Sequence, residues 1–196
     1  MYKSDDVKLE IFQMLSSEND FYVKYPFLEK YRQSVSVYKA ESRRKEILSE
    51  YDLLNKFFPN ENVTLLHNAD GKPLLSNGIN VSISHTRGFI AMILSGGKHV
   101  ALDIEYINER VKRVARMFLR EDEPFTELNE MLVAWCVKET MYKLYSSMKL
   151  TFEEVRLRPF KCLSEGRVIA ENIRNNDTVT LYYRVTDNYV LTISYK

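Results

Sequence analysis

Apolar positions change their spacing several times along the chain, and each change marks an element. Across residues 41–58, Ile47, Leu48, Leu53, Leu54, Phe57 and Phe58 recur near helical spacing among charges, and Pro59-Asn60 closes the run. A helix there carries Arg43 and Arg44 near its start. Gly71-Lys72-Pro73 then signals a turn. Three strand-like runs follow over residues 80–85, 89–94 and 99–105, punctuated by Arg87-Gly88 and Gly96-Gly97, which predicts an antiparallel meander. In the third run Val100, Leu102 and Ile104 alternate with Ala101, Asp103 and Glu105, so a period of two puts both carboxylates on one face. Two acids side by side want a cation.

Residues 110–120 predict a helix with Val111, Val114, Ala115 and Phe118 as its apolar stripe and Lys112, Arg116 and Arg120 at four-residue spacing on another. Residues 131–145 predict a second, with Trp135, Glu139 and Lys143 one turn apart along a single line. Strand-like runs at 155–157, 168–169, 178–185 and 189–194 complete the chain, separated by Glu165-Gly166 and Asp187-Asn188. Helix then strands therefore occurs twice, which suggests two similar α+β halves, residues 1–100 and 101–196. Residues 1–40 hold scattered aromatics without a clean period.

Composition narrows the function. The 196 residues are 45% hydrophobic and 28% charged, the profile of an ordered globular chain. With 28 Lys plus Arg against 27 Asp plus Glu, the net charge of +1 advertises neither nucleic acid nor membrane as a partner. Charge is instead local: five basic residues and one acid lie between Tyr106 and Arg120, then five acids and no base over residues 121–130. The polar opening, residues 1–6, lacks the apolar core of a signal peptide, and no apolar run approaches the ~20 residues of a membrane span. The expectation is a cytoplasmic protein. Cys136 and Cys162 fit no metal pattern and read as buried small hydrophobes. Neither a P-loop nor a two-metal histidine and aspartate cluster is present.

Four motifs in order, Gly71-Lys72-Pro73, Ser82-Ile83-Ser84-His85, Asp103-Ile104-Glu105 and Trp135-Cys136-Val137-Lys138-Glu139-Thr140-Met141-Tyr142-Lys143, resemble the signature of the phosphopantetheinyl transferase superfamily in its surfactin-synthetase-activating type. The resemblance covers about residues 41–155. It implies an α+β fold of two halves related by a pseudo-twofold axis, with coenzyme A in the cleft between them and a single chain supplying both. A monomer is expected. Ala101 and Leu119 depart from the family's usual glycine and small polar residue, and neither donates a ligand.

The implied reaction transfers the 4′-phosphopantetheine of coenzyme A, the substrate, to a serine of an acyl or peptidyl carrier protein. By the resemblance Asp103, Glu105 and Glu139 hold Mg2+, with Mn2+ as an alternative. Glu139 either completes the metal shell or takes the serine proton, and Lys143 holds the pyrophosphate. Ser84 and His85 are implied phosphate contacts, Arg43 or Arg44 reaches the 3′-phosphate, and Lys72 the adenine side. Extra basic contacts in the first 40 residues have only Lys24, Lys30 and Arg32 as candidates. Lys138 reads as supporting and Trp135 as packing. The ridge Lys112, Arg113, Arg116 and Arg120, with Met117 and Phe118 as apolar anchors, is a candidate surface for the acidic helix of a carrier, against the alternative of a solvated helix face. The rival readings are a non-catalytic coenzyme A- or carrier-binding protein that keeps the fold, and a metal-dependent phosphohydrolase.

Overall fold

The computed structural model describes residues 6–196; residues 1–5, most of the polar opening, lie outside that range. Strand β1 (Val7–Gln13) leads into helix α1 (Glu18–Lys24), whose start is fixed by a reciprocal cap between Ser17 and Asp20. A 3-10 turn (Pro26–Tyr31) and the short α2 (Arg32–Val35) follow. Phe21, Leu28 and Val35 from these pieces pack on Ile47 and Leu48 of α3 (Glu41–Phe57). Beyond β1, residues up to 40 show no single period because their apolar side chains come from several short turns, with Phe21, Leu28 and Val35 facing α3.

After α3 come the hairpin of β2 (Leu65–His67) and β3 (Pro73–Leu75), then β4 (Asn80–Thr86), β5 (Phe89–Ser95) and β6 (Val100–Tyr106). Gly88, at φ 79°, makes the β4–β5 turn, a backbone region that favours glycine. The expected meander stops there. β4 and β5 pair antiparallel and β1 covers the other side of β5, but β6 leaves to pair with the final strand.

Helix α4 (Arg110–Phe118) and helix α5 (Leu128–Leu144) follow, the second starting three residues earlier than its apolar period shows. The polar first turn of α5 is held by hydrogen bonding between Glu127 and Glu130, which an apolar count does not see. Strands β7 (Val155–Leu157), β8 (Glu165–Asn172), β9 (Asp177–Val185) and β10 (Tyr189–Tyr195) complete a five-stranded sheet in the order β6-β10-β9-β8-β7. Every ladder among the described residues is antiparallel, in agreement with a mixed α and β fold of the α+β kind.

Strand order repeats: β1-β5-β4 in one sheet and β6-β10-β9 in the other each put the opening strand beside the last. A 17-residue helix follows the opening strand in both cases, α3 in the first and α5 in the second. The two sheets meet in a common core of Ala91 and Ile93 with Leu102, Ile104, Leu191 and Ile193. Where β4 runs beside β6 no ladder forms; hydroxyls span the gap. Ser82 Oγ accepts from the Leu102 amide at 3.2 Å and Thr86 Oγ1 from the Tyr106 amide at 3.0 Å. Both contacts are possible because residues 82 and 86 share a face of β4. α5 packs across β6 and β10 with Leu132, Val133, Cys136, Val137 and Met141 buried, which fixes the side of the sheet that its polar residues reach. Cys136 is buried as expected, whereas Cys162 is only partly so, because it sits in the irregular stretch before β8. Among the described residues no helix is long and apolar enough to cross a membrane.

Candidate active site

The seam between β4 and β6, roofed by α5, collects the motif residues. Period two on β6 brings Asp103 and Glu105 to the side facing α5, and the four-residue spacing of Trp135, Glu139 and Lys143 brings all three over them. Asp103 is 4% exposed. Its Oδ1 accepts from Lys143 Nζ at 2.8 Å and from Ser84 Oγ at 2.7 Å, while Oδ2 is buried with no hydrogen bond of normal geometry, beside the Cys136 thiol whose pKa burial and then this carboxylate raise. An unpartnered carboxylate oxygen in the interior is costly and calls for an explanation. Lys143 also donates to the Leu102 carbonyl at 3.0 Å.

Glu105 is held from both sides: Trp135 Nε1 donates to Oε1 at 3.0 Å and Thr86 Oγ1 to Oε2 at 3.3 Å. Burial, and then the neighbouring Asp103 carboxylate, raise its pKa above the ordinary glutamate range. Glu139 is pushed up to about 7, first by burial and then by Asp103, with Lys143 pulling the other way. Three carboxylates thus crowd one lysine, a distribution that a divalent cation would relieve.

Donor type, charge and the unpartnered Oδ2 of Asp103 fit a hard cation such as Mg2+, which takes one or two carboxylates beside phosphate oxygens and waters. The three carboxylates do not converge into a closed shell, and among the described residues no three acidic, histidine or cysteine side chains do so.

Two cavities flank this centre. One, of about 440 Å³, starts at Glu105 and runs under α4, lined by Val111, Val114, Met117, Leu132, Trp135 and Phe152. The other, of about 530 Å³, starts at His85 and lies against α3, with Tyr38, Arg43, Glu50, Tyr51 and His67 on its walls. His85 stands between Glu46, at 3.4 Å from Nδ1, and Arg43. Burial first, against the pull of Glu46, holds the His85 pKa below its usual value.

Several expected contacts are placed differently. Ser84 spends its hydroxyl on Asp103 rather than facing open space. Arg43 borders the polar cavity, but Arg44 is turned away, bonded to Glu18 at 2.6 Å and to the carbonyls of Tyr38 and Lys39. Lys72 sits in its turn, where the loop is fixed by Asn68, between Gly71 and Pro73 on the cavity wall. Arg32 is stacked on Tyr22 and paired with Glu29, and Lys24 and Lys30 lie over Tyr25 and Tyr31.

On α4, Phe118 is not an exposed anchor: it is fully buried, edge-on to Trp135 at 5.1 Å, because the helix turns its apolar stripe inward. Met117 is 74% exposed. Lys112 pairs with Glu109, and Arg120 with Asp122 and the Glu153 carbonyl, which leaves Arg113 and Arg116 as the exposed basic pair. Sequence reasoning missed Thr86, Glu46, Glu50 and the donor role of the Trp135 indole. The recurrence of Ser82, Ser84 and Thr86 at every second position was the available signal for the first.

No family model matches the chain. A curated relative, the 4′-phosphopantetheinyl transferase gsp of Aneurinibacillus migulanus, is 29% identical over 93 residues, covering 43% of this chain and 39% of the relative. The chain therefore matches well under half of that relative's length. This likeness supports the phosphopantetheinyl transferases as the general class to which the fold and site point.

Proposed function

We propose that this chain is a phosphopantetheinyl transferase of the surfactin-synthetase-activating type, moving the 4′-phosphopantetheine of coenzyme A onto a serine of an acyl or peptidyl carrier protein. The observation that carries the reading is the buried, unpartnered Oδ2 of Asp103, with Glu105, Glu139 and Lys143 around it and a cavity on either side. The serine oxygen bonds to the pantetheine-side phosphorus, the bond from that phosphorus to the bridging oxygen breaks, and adenosine 3′,5′-bisphosphate leaves. Positioning and charge neutralisation dominate such chemistry.

Asp103, Glu105 and Glu139 would hold Mg2+ or Mn2+, which when bound would supply charge neutralisation at the pyrophosphate. Ser84 and Lys143 orient Asp103, and Trp135 and Thr86 orient Glu105. With its pKa near neutrality, Glu139 suits acceptance of the serine proton, directly or through water, and once ionised it also suits a ligand role. Lys143 is placed to meet the charge that grows on the leaving phosphate. The polar cavity suits the adenosine end and the apolar one the pantetheine arm. Arg113, Arg116 and Met117, beside the apolar cavity, form the docking face for an acidic carrier helix. The repeated strand order supports two α+β halves, 1–100 and 101–196, about a pseudo-twofold axis. We read the protein as a cytoplasmic monomer.

Intact mass spectrometry of an apo carrier protein, after incubation with coenzyme A, Mg2+ and this chain, tests the reading. A gain of one phosphopantetheine is expected, and Asp103→Ala and Glu139→Ala should each cut its rate by at least about a hundredfold. No gain with several carriers, while coenzyme A still binds, would replace the transferase with the non-catalytic binding protein.

A further inference from the structure

The hairpin of β2 and β3 forms one wall of the polar cavity, to which it contributes Leu65, His67, Gly71 and Pro73. It pairs with no other strand among the described residues. Its base is fixed. Leu65 and Leu75 join an apolar cluster with Leu53 and Leu54 of α3. Across the open end the Ser76 amide donates to the Thr64 carbonyl at 3.0 Å, and the Thr64 amide to Ser76 Oγ at 3.0 Å. The outer face is bare: Leu66 and Leu74 are cross-strand partners and both are exposed. Two strands of three residues hold no shape by themselves, so this hairpin keeps its form only while it is docked.

The tip is a closed turn. The Asn68 amide donates to the Lys72 carbonyl, Asn68 Oδ1 accepts from the amides of Asp70 at 3.0 Å and Lys72 at 2.9 Å, and Gly71 stands at φ 80°. From this turn the Asp70 carboxylate reaches Lys149 at 3.1 Å, just beyond the end of α5. Lys149 sits on a fixed post. It follows the 3-10 turn Ser146–Met148, whose Met148 carbonyl accepts from Arg174, and Arg174 is held in turn by Glu154 at 2.6 Å. One ion pair therefore ties the tip of a cavity wall to the end of the helix that carries Glu139 and Lys143. Its partners are well solvated, Lys149 at 68% and Asp70 at 49% exposure, and a pair of that kind shifts an equilibrium by at most about fivefold. Such a tie biases a hairpin without locking it.

We propose that the β2–β3 hairpin is a flap over the polar cavity, hinged at Thr64 and Ser76 and strapped shut by Asp70 and Lys149, which opens for a ligand to enter and leave. The strap needs no assumption about the ligand; that coenzyme A passes beneath it rests on the reading of the site as a phosphopantetheinyl transferase. A flap that is closed in both the free and the occupied chain slows entry and exit alike. Loosening the strap then speeds both and leaves the affinity unchanged.

Asp70→Asn and Lys149→Gln each remove the ion pair while shifting the net charge in opposite directions. Hydrogen exchange in the ligand-free chain tests the strap: the amides of Asn68, Gly71 and Ser76 should exchange about fivefold faster in both variants, with those of β5 unchanged. Unchanged exchange at the hairpin, or an equal rise in β5, overturns the proposal. Stopped-flow binding of coenzyme A with Mg2+ tests the gate. Association and dissociation rate constants should both rise about fivefold in both variants, with Kd within about twofold of the wild-type value. Steering of an anion by the altered charge would move the two association rates in opposite directions, and a hairpin that only touches the ligand would raise dissociation alone; either result overturns the flap. Faster hairpin exchange without any binding of coenzyme A removes the transferase and leaves the flap standing. Binding of coenzyme A with unchanged hairpin exchange does the reverse.

Discussion

Glu50 combines deep burial with a single distant cation, so its burden changes with pH. Burial, opposed by Arg43, raises its pKa from 4.5 to about 7. A carboxylate with a raised folded-state pKa binds its proton more tightly when folded, so the stability it supports is full below pH 4.5 and is lost as pH rises towards 7. The shift corresponds to on the order of 3 kcal/mol. Glu50→Gln should therefore be more stable than the native chain by that order at pH 8, with the gap closing near pH 4.5, as read by urea denaturation at both pH values. A gap that does not change with pH would remove the burial argument. Asp103, Glu105, Glu139 and Lys143 were legible in the sequence because each lies on an element whose period fixes its face. Glu46 and Glu50 were not: an acid three or seven residues after Arg43 reads as an ordinary helix charge until β4 brings His85 to it.

At the scale of elements, α5 is fastened by a side chain that its sequence disguises. Lys138 is fully buried against Glu123 at 2.8 Å and donates to the carbonyls of Phe152 and Val155 at 3.1 and 2.9 Å. Glu123 in turn accepts the amides of Arg120 and Leu157. One pair thus ties the helix that carries Glu139 and Lys143 to the turn after α4 and to β7. Burial lowers the Lys138 pKa against the opposing pull of Glu123. Removing one partner leaves the other charge buried alone, so Lys138→Met should lose about 3–5 kcal/mol in urea denaturation. A loss under about 1 kcal/mol would show that water reaches the pair. The helices themselves were readable, α3 ending at Phe57 just before Pro59 and α4 spanning its apolar stripe. The direction of their long-range ties was not, because a lysine between Val137 and Glu139 looks like any exposed helix position.

For the whole molecule, the seam between β4 and β6 decides how the sheets are joined. Alternation correctly marked β6 as a strand with two acids on one face. Its partner was not legible, since the short connection over residues 96–99 suits a hairpin as well as a departure to β10 nearly a hundred residues on. Ser82 satisfies the buried Leu102 amide, so Ser82→Ala should cost about 1–3 kcal/mol and speed hydrogen exchange at that amide. Unchanged protection at Leu102 would mean that another acceptor replaces the hydroxyl. β4 and β6 are also the outermost strands of their respective sheets on the facing sides. Each therefore screens a bare row of amides and carbonyls on the other, the kind of rim that recruits foreign strands when uncovered. A chain cut between β5 and β6 would yield two fragments with matching adhesive rims. Two intact chains that opened at this line could trade halves and close again as an intertwined pair, and a link as short as residues 96–99 is the kind of hinge that invites such an exchange.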